Sequence, residues 1–226
     1  MPATFSAGAE SSAMEARTSD EHLAIYVTGP LIGEVSSVVP TIDGVVAAPA
    51  LNKLFGMVQR SNHLSKVEVV PDKVWRTLVA DRGSDGEQAP GSWQTACQYL
   101  METGTVNDRI DTIEQLQRGQ PHMERAYLKR VQEVVWDRCF IEVVSRGISM
   151  GVEERHGLGP TESHVGDVIS ILYGCTVPCL LRESPWVPGS YRPVGECYVY
   201  GLMDGEAITC RSEEALERDK MVFRIV

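Results

Sequence analysis

Between Gly166 and Gly201 the chain carries short apolar and β-branched runs at 168–173, 177–181 and 197–200, each set off from the next by clusters of Gly, Pro and Ser. No other stretch constrains the fold so tightly. Runs of this length, punctuated in this way, read as successive short antiparallel strands. A small barrel or rolled sheet is the expected outcome. Pro178 lies inside one run, which places that strand at an edge or a bulge. Gly195 marks a second bulge, because its surroundings from 191 to 200 are otherwise rich in strand formers.

The 226 residues suit one or two domains. A chain of this length can remove roughly 70% of its unfolded surface from water, so a substantial core is available. Its net charge of −10 argues against capture of phosphate backbones or anionic membranes, both of which need clustered Lys and Arg. No apolar run approaches the ~20 residues that span a bilayer. Residues 1–20 lack both a basic start and an apolar core, so they do not read as a signal peptide. Six cysteines without an export signal read as reduced thiols. A cytoplasmic location is the default, and Asn52, Asn62 and Asn107, none of them in a glycosylation sequon, agree with it.

Taken in order, residues 1–21 read as a disordered leader, since Phe5 is its one large hydrophobe apart from Met. A strand is expected over 23–27, broken at Gly29-Pro30, with another extended piece over 31–39. Residues 45–60 read as a helix with Leu51, Leu54, Phe55 and Val58 on one face and a start near Ala48. Helices follow with Asp72 as N-cap before Trp75, Leu78 and Val79, and with Ser92 before Trp93, Ala96, Cys97 and Leu100. A third begins at Asn107 and carries Ile110, Ile113 and Leu116 to Gly119. The longest starts at Pro121, runs to about Arg138, and buries Leu128, Val131 and Val135. Extended chain returns over 140–144 and 148–152. A strand at 207–210, a charged helical turn at 213–219 and a closing strand at 221–226 complete the reading. The expected fold is therefore α+β: a mainly helical region over 22–139, then a small antiparallel barrel-like unit over 140–226.

Several constellations invite chemistry and fail on spacing. Cys175, Cys179, Cys197, Cys210, His156 and His164 form no second Cys-x-x-Cys or His pair to complete a zinc tetrahedron, and free cysteines pack mostly as small hydrophobes. Ser163, His164 and Asp167 are too close in sequence to read as a triad and sit on no nucleophile elbow, so a polar turn is the better reading. Gly157-Leu158-Gly159 lacks the third Gly and following helix of a phosphate loop. Positive φ in a tight turn accounts for these glycines, as for Gly201 and Gly205. Glu196, Asp204 and Glu206 flank a turn and read as solvent-facing. Trp75, Trp93 and Trp136 lie at helical spacing from other apolar residues and are assigned to the core. Trp186, bounded by Pro185, Pro188 and Gly189, is instead a candidate interface anchor.

The series Gly157-Leu158-Gly159-Pro160, Gly166-Asp167, Val177-Pro178-Cys179-Leu180-Leu181-Arg182 and Val194-Gly195-Glu196-Cys197-Tyr198-Val199-Tyr200-Gly201-Leu202-Met203-Asp204-Gly205-Glu206-Ala207 resembles the C-terminal region of fungal heterokaryon-incompatibility (HET) proteins. Upstream, Val74-Trp75-Arg76-Thr77-Leu78-Val79-Ala80-Asp81-Arg82 resembles that family's tryptophan helix. The Ser-Tyr-x-Trp-Gly and Asp-x-x-Cys-Ile-Asn-Gln segments of the effector domain that names the family are not found. The resemblance thus implies an accessory tail without its N-terminal effector, with no catalytic residue, cofactor or metal. It would act through an unidentified protein partner in self/non-self recognition or its regulation, with no role for nucleic acid or membrane. Two alternatives stand beside this: a remnant with no independent role, and an enzyme using the C-terminal acidic and cysteine residues.

Overall fold

The computed structural model describes residues 15–19, 22–41, 43–47, 50–51, 69–103, 105–106, 109–145, 154–209 and 212–226. In chain order, strand β1 (Glu15–Ser19) precedes the long strand β2 (His22–Pro40) and the short β3 (Val45–Val46). Helices α1 (Asp72–Leu78) and α2 (Trp93–Thr103) follow, then β4 (Thr105–Val106) and β5 (Arg109–Asp111). Next come α3 (Thr112–Gln117), α4 (His122–Val135) and strand β6 (Arg138–Ser145). The remainder is β7 (Glu154–Pro160), β8 (Val168–Ser170), β9 (Cys179–Glu183), β10 (Ser190–Glu196), β11 (Tyr198–Val199), α5 (Glu206–Thr209), α6 (Glu213–Arg218) and β12 (Lys220–Ile225). The fold is mixed α and β, with a path of eight paired strands and six helices among the described residues. No helix among them is long and apolar enough to cross a membrane.

The chain divides into two compact units. One holds Val39–Phe140; the other holds the described residues up to Val38 together with Ile141–Val226. The expected order of helices first and strands afterwards is therefore incomplete, because β2 precedes the helices and yet lies inside the large sheet. Its sequence hides this. Gly29-Pro30 reads as a break, but β2 runs straight through it, because Pro30 sits where one partner strand hands over to another. Residues 25–30 pair with β12, ending at Lys220 opposite Pro30, and 31–34 pair with β8. The N–H that proline lacks is not missed there. Its carbonyl accepts from Ser170 Oγ at 3.0 Å and from the Ile171 amide at 3.4 Å. β1, inside the expected leader, pairs antiparallel with β2; the rest of that leader lies outside the described residues.

The sheet unit pairs in the order β11-β7-β6-β2-β12-β10-β9-β8, and β8 pairs again with β2. Neighbours β2, β12, β10, β9 and β8 thus complete a hydrogen-bonded circuit. Every pairing in it is antiparallel except β10 with β12, which is parallel. Leu172, Leu181 and Phe223 form one apolar cluster, flanked by Val27, Val168, Cys175, Cys179, Tyr191, Met221 and Ile225. Tyr191 meets Phe223 edge to face at 5.2 Å.

The helical unit is built on amphipathic stripes. α4 buries Tyr127, Leu128, Val131, Val134 and Val135, and α2 buries Trp93, Ala96, Cys97, Leu100 and Met101. Trp93 meets Tyr127 edge to face at 5.5 Å, and the Tyr127 hydroxyl donates to the Trp75 carbonyl at 3.2 Å. Several expected boundaries move. Pro71 occupies the N-cap position of α1, and Asp72 is its first residue, its carboxylate accepting from Trp75 Nε1 at 3.0 Å. The helix expected from Asn107 starts at Thr112, because Asp111 caps it by accepting from the Glu114 amide at 3.0 Å, while Ile110 belongs to β5 opposite Val46. Ile113 consequently faces out. α4 ends at Val135, and Trp136, assigned to the core from sequence, is 41% exposed at the C-cap. Of the expected 45–60 helix, 45–46 are strand and Leu51 bonds back to Ala47 at 3.2 Å; Leu54, Phe55 and Val58 lie outside the described residues, as do 148–152. Of the strand expected at 207–210, residues 207–209 belong instead to a helical turn, α5, entered through positive φ at Asp204 and Gly205, and Cys210 lies outside the described residues.

Candidate functional site

In the helical unit the residues Trp75, Arg76, Asp81 and Arg82 come together. Ala80 and Asp81 adopt left-handed φ of 50° and 51°, turning the chain back on α1 so that the Asp81 amide donates to the Arg76 carbonyl at 2.8 Å. Such φ values are uncommon outside glycine and persist where the surroundings hold them. Arg76 does so here: its guanidinium stacks 4.3 Å from the Trp75 ring and binds Asp81 at 2.5 Å. Arg82 Nη1 donates to the Asp81 carbonyl at 3.0 Å, and the Arg82 carbonyl accepts from Arg130 Nε at 2.9 Å. The cluster ties the end of α1 to α4, a holding arrangement.

In the sheet unit a second cluster forms between β7 and β8. The Ser163 hydroxyl donates to the Pro160 carbonyl at 2.7 Å, and the His164 amide donates to Asp167 Oδ2 at 2.8 Å, making the polar turn expected from the sequence. Gly166 supplies a φ of 94°. Asp167, 1% exposed, then receives Arg182 from β9 in a two-pronged pair, Nε to Oδ1 at 2.6 Å and Nη2 to Oδ2 at 2.8 Å. Hydrogen bonding to that carboxylate pushes the Arg182 pKa above its ordinary value. Arg182 Nη2 also donates to the Glu162 carbonyl at 2.5 Å. Arg182 is one wall of a depression of about 330 Å³, lined further by Glu162, His164, Arg192, Pro193 and Val194.

Gly157 and Gly159 are not turn residues. Both lie in β7, where a Cβ on Gly157 would stand 2.1 Å from the Tyr198 carbonyl oxygen and one on Gly159 would stand 2.5 Å from Ser163 Oγ. Close approach of neighbouring chain, rather than positive φ, selects glycine there. Gly201 and Gly205 do adopt positive φ, 72° and 83°. Pro178 stands just before β9, its carbonyl accepting from the Cys197 amide at 2.9 Å, so it interrupts no strand. Gly195 falls at a register shift in β10, packed against Pro160, and Glu196 closes that strand on the surface. Met203 is buried, Asp204 is exposed in the turn, and Glu206 opens α5.

Trp186 is 87% exposed. Its loop is firmly built: the Ser184 amide donates to the Ser190 carbonyl at 2.8 Å, and the buried Ser190 donates through Oγ to the Val187 carbonyl at 2.6 Å. Sequence reading passed over these serines, and over Arg192, whose importance depends on strand register. Among the thiols, burial pushes Cys97 up to about 12, and burial, then Cys175 and Glu196, push Cys179 up to about 12. Thiols so protonated are poor nucleophiles and ligands near neutrality. Among the described residues no three His, Cys, Asp or Glu side chains converge as a metal-holding set.

Residues 85–217 match the family model of the Het-6 beta-barrel domain. No curated protein and no solved structure matches the chain. The matched segment contains α2 to α5 and nearly all of α6, the Asp167–Arg182 pair, the Trp186 loop, and every strand from β4 to β11, and so joins most of the helical unit to the clusters that carry the resemblance in the sheet unit. The chain belongs to the Het-6 beta-barrel domain family, which ties it to heterokaryon incompatibility.

Proposed function

We propose that this protein is a non-catalytic, cytoplasmic interaction module of heterokaryon incompatibility, acting by binding another protein in self/non-self recognition or its regulation. The circuit β2-β12-β10-β9-β8 serves in this reading as the barrel that displays the binding loop, which is supported by its closed pairing and the apolar cluster around Phe223. One observation carries the interaction: Trp186 stands 87% exposed on a loop held by its own buried serines. A large indole kept in water on an ordered loop gains nothing for the fold, whereas tryptophan is, with tyrosine and arginine, enriched among the residues that anchor protein interfaces. Pre-ordering the loop lowers the entropy cost of docking.

The test is proximity labelling in a filamentous fungus with the native chain and Trp186→Ala, at matched expression. Loss of Trp186 should change folding stability by no more than about 0.5 kcal/mol, as expected of an exposed site. It should remove the proteins labelled by the native chain and weaken any growth phenotype on fusion of unlike hyphae. Identical labelling by both chains would refute the assignment.

A further inference from the structure

The antiparallel register of β9 and β10 places Arg192 directly opposite Arg182. Like charges facing each other across a strand pair are unfavourable, and only one of these two is neutralised. Arg182 commits Nε and Nη2 to Asp167 and to the Glu162 carbonyl. Among the described residues its Nη1 meets no acceptor, and the Arg192 guanidinium has neither a hydrogen bond nor an ion pair. The one carboxylate on the same rim, Glu162, is unpaired through its side chain, and His164 completes the polar lining. A guanidinium left without a counter-charge at Arg192 is the more pointed in a chain whose net charge is −10. Sheets break a local rule of this kind where a ligand supplies what the fold does not.

The geometry defines the ligand's chemistry. Directly opposed residues of an antiparallel pair have Cβ atoms about 4.5–5.5 Å apart, so two guanidinium groups can donate to different oxygens of one anionic group. Asp167 holds one of them in place, which reduces the ordering needed on binding. Pro193 and Val194 add an apolar wall for a carbon body. A volume of about 330 Å³ lies at the small end of ligand clefts, about 300–1,000 Å³. We propose that this depression binds a small organic oxyanion, a phosphate monoester or a carboxylate, through the Arg192 guanidinium and Nη1 of Arg182. The site is separate from the Trp186 loop, and the two proposals stand or fall independently.

The test uses the full chain, isotopically labelled, titrated with phenyl phosphate and separately with benzoate at ionic strength held constant with sodium chloride. Saturating shifts of the Arg182 and Arg192 Nε–H signals are expected. Saturation with phenyl phosphate alone assigns a phosphate ligand, and saturation with benzoate alone a carboxylate. Arg192→Glu should weaken binding at least about tenfold by exchanging a donor for a like charge, with the Arg182 Nε–H signal retained as a sign that the pair to Asp167 is intact. Arg192→Gln, which keeps the side chain polar, gives a smaller loss and stands in if the charge reversal unfolds the chain. Shifts linear in both probes, or equal saturation in the Arg192 variants, would overturn the site.

Discussion

Asp167 is a carboxylate almost wholly removed from water, and its solvation is replaced by Arg182 through two hydrogen bonds of 2.6 and 2.8 Å. Removing the cation alone strands the buried anion, which is the expensive half of such a change. Arg182→Ala is therefore expected to destabilise the sheet unit by about 3–5 kcal/mol. Arg182→Lys, which keeps the charge but cannot form the fork, should fall between. Urea unfolding measures both, and a loss in Arg182→Ala no larger than at an exposed arginine would refute the pair's role. Residue identity was legible here: Gly166, Asp167 and Arg182 belong to the family resemblance. Their partnership was not, since it depends on β9 arriving beside the β7–β8 turn.

At the scale of elements, β2 is the strand on which the sheet unit turns, and its glycines mark where it is crossed. A Cβ on Gly29 would lie 2.3 Å from the Ile171 carbonyl oxygen, and one on Gly33 would lie 2.5 Å from that of Val144. Backbone atoms held in a sheet cannot yield as a flexible side chain would. Gly29→Ala should cost about 1–3 kcal/mol or more through overpacking. It should also strip hydrogen-exchange protection from the amides of Ile171 and Tyr173, which donate to Pro30 and Thr28. Unchanged protection there would mean that the two segments do not depend on each other. Helical stripes were the most legible elements, as the burial of Leu128, Val131 and Val135 bears out. The shift of the third helix to Thr112 shows the reverse, because Ile110 at helical spacing from Ile113 is equally a buried strand residue when β3 lies opposite.

Across the whole molecule, each of the two units carries a thiol whose burial makes the unfolding of that unit depend on pH. Cys97 and Cys179 have ordinary values of 9.0 and are raised to about 12 in the fold. Between those limits the unfolded chain sheds protons that the folded chain keeps, so stability falls as pH rises above 9, by up to about 1.4 kcal/mol per pH unit for the fully buried Cys97 and by less for the partly exposed Cys179. Below pH 9 the contribution is intact. Cys97→Ala should flatten the decline in urea midpoints between pH 9 and 10.5 relative to the native chain; parallel declines would contradict the raised thiol. Local sequence was enough for the amphipathic helices, the β-rich end with its bulge at Gly195, the turn glycines Gly201 and Gly205, and the exposed Trp186, because each follows from the periodicity or backbone freedom of neighbouring residues. That β2 passes unbroken through Gly29-Pro30, that the β2-to-β8 pairing circuit closes, and that Arg192 faces Arg182 emerge only once the chain is folded. Those outcomes depend on contacts between residues more than a hundred positions apart, or on a strand register set by the bulge and the loop between two strands, and local sequence carries no record of either.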